Sequence, residues 1–107
     1  MIFTAQINLP IGSPPASLYA LIWNMIPFPS RALLKLETKA LTLQLDAPIP
    51  AGAVIQIGSA TSGMAGFELD AASPQYRLET PISLGELTLA NFGPVAAMVN
   101  ATVEQED

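Results

Sequence analysis

The sequence contains neither cysteine nor histidine. Without cysteine the chain has no disulfide and no thiolate metal site. Without histidine it has no imidazole base, no Ser-His triad and none of the usual zinc ligand sets. These absences remove the commonest catalytic groups, so the composition predicts a protein that is not an enzyme and that has no cofactor and no metal site.

Charged residues are also scarce. They make up 12% of the 107 residues, against about 25% in an average soluble domain. Only four side chains are positive and the net charge is −5, which argues against nucleic-acid binding, because that depends on Lys and Arg. A surface with so little charge tends to associate. We therefore expect regular contact with other proteins, including a homo-oligomer, for which a trimer is one option.

The first 30 residues carry no charged side chain and hold five of the ten prolines. A solvated segment normally carries charge, and disordered tails are poor in large apolar residues. We interpret residues 1–30 as an N-terminal arm with the first strands, which lies against the chain's own core or a neighbouring subunit, and residues 31–107 as a β-sandwich body. On this hypothesis, deletion of residues 1–30 leaves a folded body.

The longest apolar stretch, residues 16–28, argues against a membrane span. It contains Asn24 and Pro27 and is shorter than the roughly 20 residues that cross a bilayer. No basic region precedes it, as a signal peptide would require. The expectation is a chain that has no membrane partner and is made in the cytoplasm without being secreted.

Alternating apolar and polar residues predict an all-β protein. Turn residues rich in Pro and Gly separate the alternating segments, which favours a single β-sandwich, jelly-roll-like, or a small barrel, with an extended N-terminal arm. The predicted strands cover residues 2–9, 32–37, 41–45, 54–58, 66–70, 75–79, 85–90 and 95–105.

Two early segments are harder to assign. Residues 10–15 are interpreted as a stiff linker, because their prolines oppose both helix and central strand. Residues 17–26 have apolar residues at both helical and strand spacing, so periodicity does not decide between them. We favour a strand here, since the rest of the chain is β.

Few residues suggest a chemical site. Glu68 and Asp70 share one face of a strand and could hold Ca²⁺ or act as an acid/base pair, but this spacing is typical of a solvated strand face. The glycine-rich residues 58–66 lack the Gly-Lys-Ser/Thr ending of a phosphate loop and are interpreted as a loop. Glu104, Glu106 and Asp107 are predicted to form a frayed, solvated end.

The aromatic side chains have two interpretations. Tyr19, Trp23, Phe28 and Phe92 could form a platform for sugar, or they could anchor a core or a subunit contact. We favour the contact. The residues expected to carry assembly are Ile2, Phe3, Leu18, Tyr19, Trp23, Met25, Ile26 and Phe28.

Residues 39–79 read KALTLQLDAPIPAGAVIQIGSATSGMAGFELDAASPQYRLE, and residues 84–104 read LGELTLANFGPVAAMVNATVE. This pattern resembles small structural proteins encoded in the virion gene clusters of tailed bacteriophages. The matching pieces are residues 41–47, 55–58, 66–69, 84–89 and 95–103, together with the LYALI segment at residues 18–22. Gly58-Ser59 stands where the family pattern often has Gly-Asp.

The resemblance implies a β-sandwich component of a virion, with no catalytic residues. A capsid decoration (cement) protein that stabilises subunit joints is the first expectation. The alternative is a tail, baseplate or head-fibre adaptor. Its partners would be the major capsid protein or other virion proteins, and its location the virion. A carbohydrate-binding module is the alternative from another class, and a small enzyme that uses Glu68 and Asp70 is a third.

Overall fold

The structure is a computed structural model that describes residues 1–59 and 67–106. Strands dominate it, with two short helices and one 3₁₀ helix. In chain order the elements are β1 (Ile2–Leu9), β2 (Ser13–Ser17), α1 (Leu18–Met25), α2 (Phe28–Arg31), β3 (Glu37–Thr38), β4 (Ala40–Leu45), β5 (Ile55–Ser59), β6 (Phe67–Leu69), β7 (Gln75–Leu78), β8 (Ile82–Ser83), the 3₁₀ helix (Leu84–Glu86), β9 (Leu87–Asn91) and β10 (Ala97–Glu104).

Two four-stranded antiparallel sheets form the molecule. One has the order β1-β10-β4-β7 and the other β2-β9-β5-β6, while β3 and β8 form a separate pair. Side chains from both large sheets, among them Leu43, Val99, Ile57 and Leu89, lie in one buried cluster. The prediction of a mostly β chain is therefore confirmed. Its antiparallel sheets are compatible with a sandwich-like fold, and the barrel alternative is wrong because the sheets do not close into a barrel.

The N-terminal strand is part of this structure. β1 pairs with β10 over its whole length, from Ile2 opposite Glu104 to Leu9 opposite Ala97. Its side chains alternate between exposed and buried, as a half-buried strand requires. An extended arm does not describe residues 2–9, because β1 is paired in the sheet and its apolar side chains fill the chain's own core, which is one of the two placements expected for this segment. Deletion of these residues would remove β1, β2 and α1 together.

Most of residues 17–26 form a helix, α1 over Leu18–Met25, so the preference for a strand is wrong. The buried side chains of this region are Leu18, Ile22 and Ile26, whose spacing of four places them on one helical face. Ile26 is extended, with φ −86° and ψ 156°, because a residue that precedes proline avoids the α region. Pro27 therefore ends α1, and α2 follows with a proline in its first turn.

Two further segments differ from the sequence prediction. The predicted strand at residues 32–37 is wrong, since only Glu37 and Thr38 are in a strand. The residues of the predicted linker reach into β2, which includes Pro14 and Pro15. A strand with two prolines is tolerated there because β2 lies at a sheet edge and is irregular between Ser13 and Ala16.

The fully buried Asn91 joins three parts of the chain at the end of β9. Its Nδ2 donates to the carbonyl oxygens of Leu9 and Val95, both at 2.9 Å. Its Oδ1 accepts from the backbone N–H of Gly93 at 2.9 Å, and its backbone carbonyl accepts from Gly12 at 3.0 Å. This one side chain fixes the turn over residues 91–94 and ties it to the end of β1.

We predict that Asn91→Ala lowers the free energy of unfolding by about 3 kcal/mol, because it leaves buried carbonyl groups without a donor. Urea denaturation measures the change. Asn8→Ala, at an exposed position of β1, is the control and should shift the free energy by about 0.5 kcal/mol or less. Equal effects of the two substitutions would contradict the role given to Asn91.

Candidate protein-interaction surface

Exposed apolar side chains concentrate in one segment. Among the described residues ten large hydrophobic side chains are exposed, and five of them lie in residues 23–36. We call this group the apolar surface; its members are Trp23, Met25, Phe28, Leu33 and Leu36. Apolar residues are common on protein surfaces one at a time, so the concentration of five in this short segment makes it the candidate contact site.

Arg31, the first charged residue of the chain, lies against two rings of this surface. The carbon at the centre of its guanidinium is 4.4 Å from the centroid of Trp23 and 5.5 Å from that of Phe28. Its Nη2 donates to the backbone oxygen of Asn24 at 3.3 Å. These contacts hold the guanidinium against the rings by cation–π attraction, and they give the two aromatic side chains a fixed arrangement.

The Nε of Arg31 is buried and has no hydrogen-bond partner within the described part of the chain. A buried donor without an acceptor is unfavourable. Because the atom is buried, it is not available to another molecule in this arrangement. What the arrangement offers at a contact is therefore the exposed part of the apolar rings.

A buried glutamine side chain anchors the loop that carries Leu33 and Leu36. The Gln105 side chain, only 2% exposed, accepts from the backbone N–H of Lys35 at 2.9 Å and donates to its carbonyl at 2.6 Å. Leu34, between the two exposed leucines, is buried. The loop after α2 is therefore anchored from inside, which leaves Leu33 and Leu36 pointing outward.

The eight residues expected to carry assembly fall into two groups. Phe3, Leu18 and Ile26 are core residues with exposures of 7%, 0% and 4%, and Tyr19 is half-buried against the core. Ile2, Trp23, Met25 and Phe28 are exposed. The first group is occupied by the chain's own fold, and the second remains free to meet a partner.

The two carboxylates considered as a chemical site have separate surroundings. Asp70 accepts from the backbone N–H groups of Ala72 and Ser73 at 3.0 and 2.8 Å, so its side chain stabilises the turn after β6. Glu68 is exposed on β6 beside Phe67, and the ring of Phe67 lies 4.9 Å from that of Tyr76. The turn explains why an acid occupies position 70.

The acidic C-terminus is more ordered than predicted, as far as Glu106. Glu104 belongs to β10, and its carboxylate lies 3.5 Å from Arg77. Hydrogen bonding to Glu79 and then the charges of Glu79 and Glu104 raise the pKa of the Arg77 guanidinium above its usual value. Glu106 lies 3.9 Å from Lys39. The prediction for Asp107 falls outside the described residues, as does most of the predicted loop at residues 59–66.

In residues 1–59 and 67–106, no group of three or more acidic side chains is placed to hold a metal ion. No helix within those ranges has both the length and the hydrophobicity needed to cross a bilayer.

Neither a protein-family model nor a curated protein sequence matches this chain.

Trp23 is the only tryptophan, so its fluorescence reports on Arg31 directly. We predict that Arg31→Ala moves the emission to longer wavelength and increases quenching by acrylamide, because the ring loses its cover. The free energy of unfolding should fall by about 1 kcal/mol or less.

Arg77→Ala is the matched control, because it removes the same charge from a residue whose contacts are Thr42, Glu79 and Glu104. It should leave the tryptophan emission unchanged. If Arg31→Ala and the natural protein had identical emission and quenching, the contact of Arg31 with the Trp23 ring would be refuted.

Proposed function

We propose that this chain is a non-enzymatic structural subunit of a tailed-bacteriophage particle. A capsid decoration protein is the form we favour, and a tail, baseplate or head-fibre adaptor is the alternative position. The observation that carries the proposal is the apolar surface at residues 23–36, which stays exposed after the core is complete. The resemblance of residues 39–104 to phage virion proteins is the reason for proposing a phage particle as the assembly.

The strand order supports a jelly-roll assignment. Consecutive strands of the two large sheets lie in opposite sheets at every step except one: β1 and β2, β4 and β5, β6 and β7, and β9 and β10 each step from one sheet to the other, while β5 and β6 pair within one sheet. Two four-stranded sheets connected in this manner are typical of the jelly roll, which occurs in viral capsid proteins and in lectins. Fold alone does not assign function, so the proposal depends on the surface.

A structural subunit works by burying apolar area at joints between its neighbours. Phe28 is 78% exposed and Met25 is 52% exposed, so each has much area to lose on contact. Aromatic residues and arginine are the side chains that most often dominate binding energy at protein contacts. Repetition around a symmetric particle multiplies a modest affinity per site.

The proposal is tested by complementation of a phage that lacks the gene for this chain. The variant carries Met25→Asp and Phe28→Asp, which place charge in the apolar surface at exposed positions. We expect the number of copies per purified particle, measured by quantitative mass spectrometry, to fall at least about tenfold.

The control carries Ile11→Asp and Phe92→Asp, at positions 63% and 60% exposed outside the apolar surface. It adds the same charge and should enter particles at the natural level. Equal incorporation of both variants would contradict the claim that the apolar surface attaches the chain to the particle. Particles that contain none of the natural chain would contradict the virion role.

A carbohydrate-binding module is the second candidate, because Trp23 and Phe28 are exposed rings on a fold that also occurs in lectins. However, Arg31 lies over the Trp23 ring, and a sugar would need that aromatic face. This favours protein contact. A glycan array should give no binding; binding that is lost in Trp23→Ala would establish the sugar function instead.

A further inference from the structure

The two large sheets have four edge strands, and three of them carry features that discourage pairing with another chain. β2 contains two prolines and an irregularity. β6 has only three residues, one of them Glu68. β7 has four residues and carries Arg77, which is bound to Glu79 just beyond the strand. Shortness, proline, irregularity and charge are the usual protections of a sheet edge.

β1 is the fourth edge and has none of these protections. It is eight residues long and contains no proline and no charged side chain. It follows β10 in unbroken register. Leu18 and Ile22 of α1 share the buried cluster with Phe3 and Ile7 on the core face of β1, and over the residues that the structure describes no backbone group of α1 is hydrogen-bonded to β1.

The hydrogen-bonding groups of this edge can be identified. The amine of Met1 donates to the carbonyl of Gln105, and the N–H of Gln105 donates to the carbonyl of Met1, each at 2.8 Å. Antiparallel pairs alternate along a ladder, so the odd-numbered residues of β1 point their N–H and C=O groups at β10. The backbone groups of Ile2, Thr4, Gln6 and Asn8 point away from it, and no other described strand pairs with them.

We propose that two copies of this chain join edge to edge through β1, in antiparallel pairing about a twofold axis at Ala5. This register places Ile2 opposite Asn8 of the second copy and Thr4 opposite Gln6. All four outward-facing residues then pair, which forms about eight hydrogen bonds and one continuous eight-stranded sheet. Any other register leaves some of these groups unpaired.

The geometry of the edge favours a second copy as the occupant, because pairing about Ala5 matches every outward-facing residue of one copy with an outward-facing residue of the other. The chain carries a net charge of −5, which opposes self-association over most of its surface. β1 is the one long edge at which a copy meets its own side chains without placing like charges opposite one another. Thr4 and Gln6 are small or neutral polar residues that lie side by side across the axis. The apolar surface plays no part in this contact, so the proposal stands apart from the proposed function.

Sedimentation velocity of the purified chain, from about 1 μM to about 1 mM, tests the contact. We expect a monomer that becomes a dimer as concentration rises. Thr4→Lys places two lysines near the axis and should weaken association at least about tenfold. Thr102→Lys, on the neighbouring strand opposite Thr4, makes the same charge change one strand inside the edge and should leave association within about twofold of the natural value.

The register has its own test, because the natural chain has no cysteine to interfere. Thr4→Cys and Gln6→Cys chains, mixed and oxidised, should form a disulfide between the two variants, since opposed residues lie about 5.5 Å apart. Either variant alone places its cysteines about 8 Å apart and should cross-link at least about fivefold less. A monomer throughout the series, a dimer unaffected by Thr4→Lys, or equal cross-linking in all samples would each overturn the proposal.

Discussion

The antiparallel pairing of β1 with β10 is the contact on which the other features depend. It brings together the two ends of the described chain, from Ile2 opposite Glu104 to Leu9 opposite Ala97. β10 then pairs with β4 on its other side, so the pairing with β1 makes β10 an interior strand of the first sheet. The same pairing places Gln105 beside Met1, and from there the Gln105 side chain reaches Lys35 and fixes the loop that carries Leu33 and Leu36.

The uncharged beginning of the chain therefore has two roles. The apolar side chains of β1 and the buried face of α1 complete the core. Trp23, in the second half of α1, and Phe28, after Pro27, are exposed. The guanidinium of Arg31 lies over both of their rings. A segment without charge is suited to this position, because one of its faces is buried in the fold and the other carries the apolar side chains that we propose meet a partner.

Alternation was sufficient to predict most of the β-structure. Residues 2–9, 41–45 and 97–103 bury every second side chain as the sequence indicates. Residues 18–25 are apolar on every face, so only the position of Pro27 and the four-residue spacing of Leu18, Ile22 and Ile26 mark the helix. The sequence also does not distinguish core residues from surface residues in this region. Phe3 and Phe28 both lie in uncharged apolar stretches, yet Phe3 is buried and Phe28 is exposed. The roles of Asn91 and Gln105 depend on partners far away along the chain, which no local pattern reveals.

The central claim is that the apolar surface at residues 23–36 is covered when the chain meets its partner in a particle. Hydroxyl-radical footprinting of the free protein and of purified particles measures this directly, side chain by side chain. The account predicts that Trp23, Met25 and Phe28 lose most of their reactivity in the particle while Phe92 keeps its own. Equal reactivity of those three side chains in the free and assembled protein would contradict it.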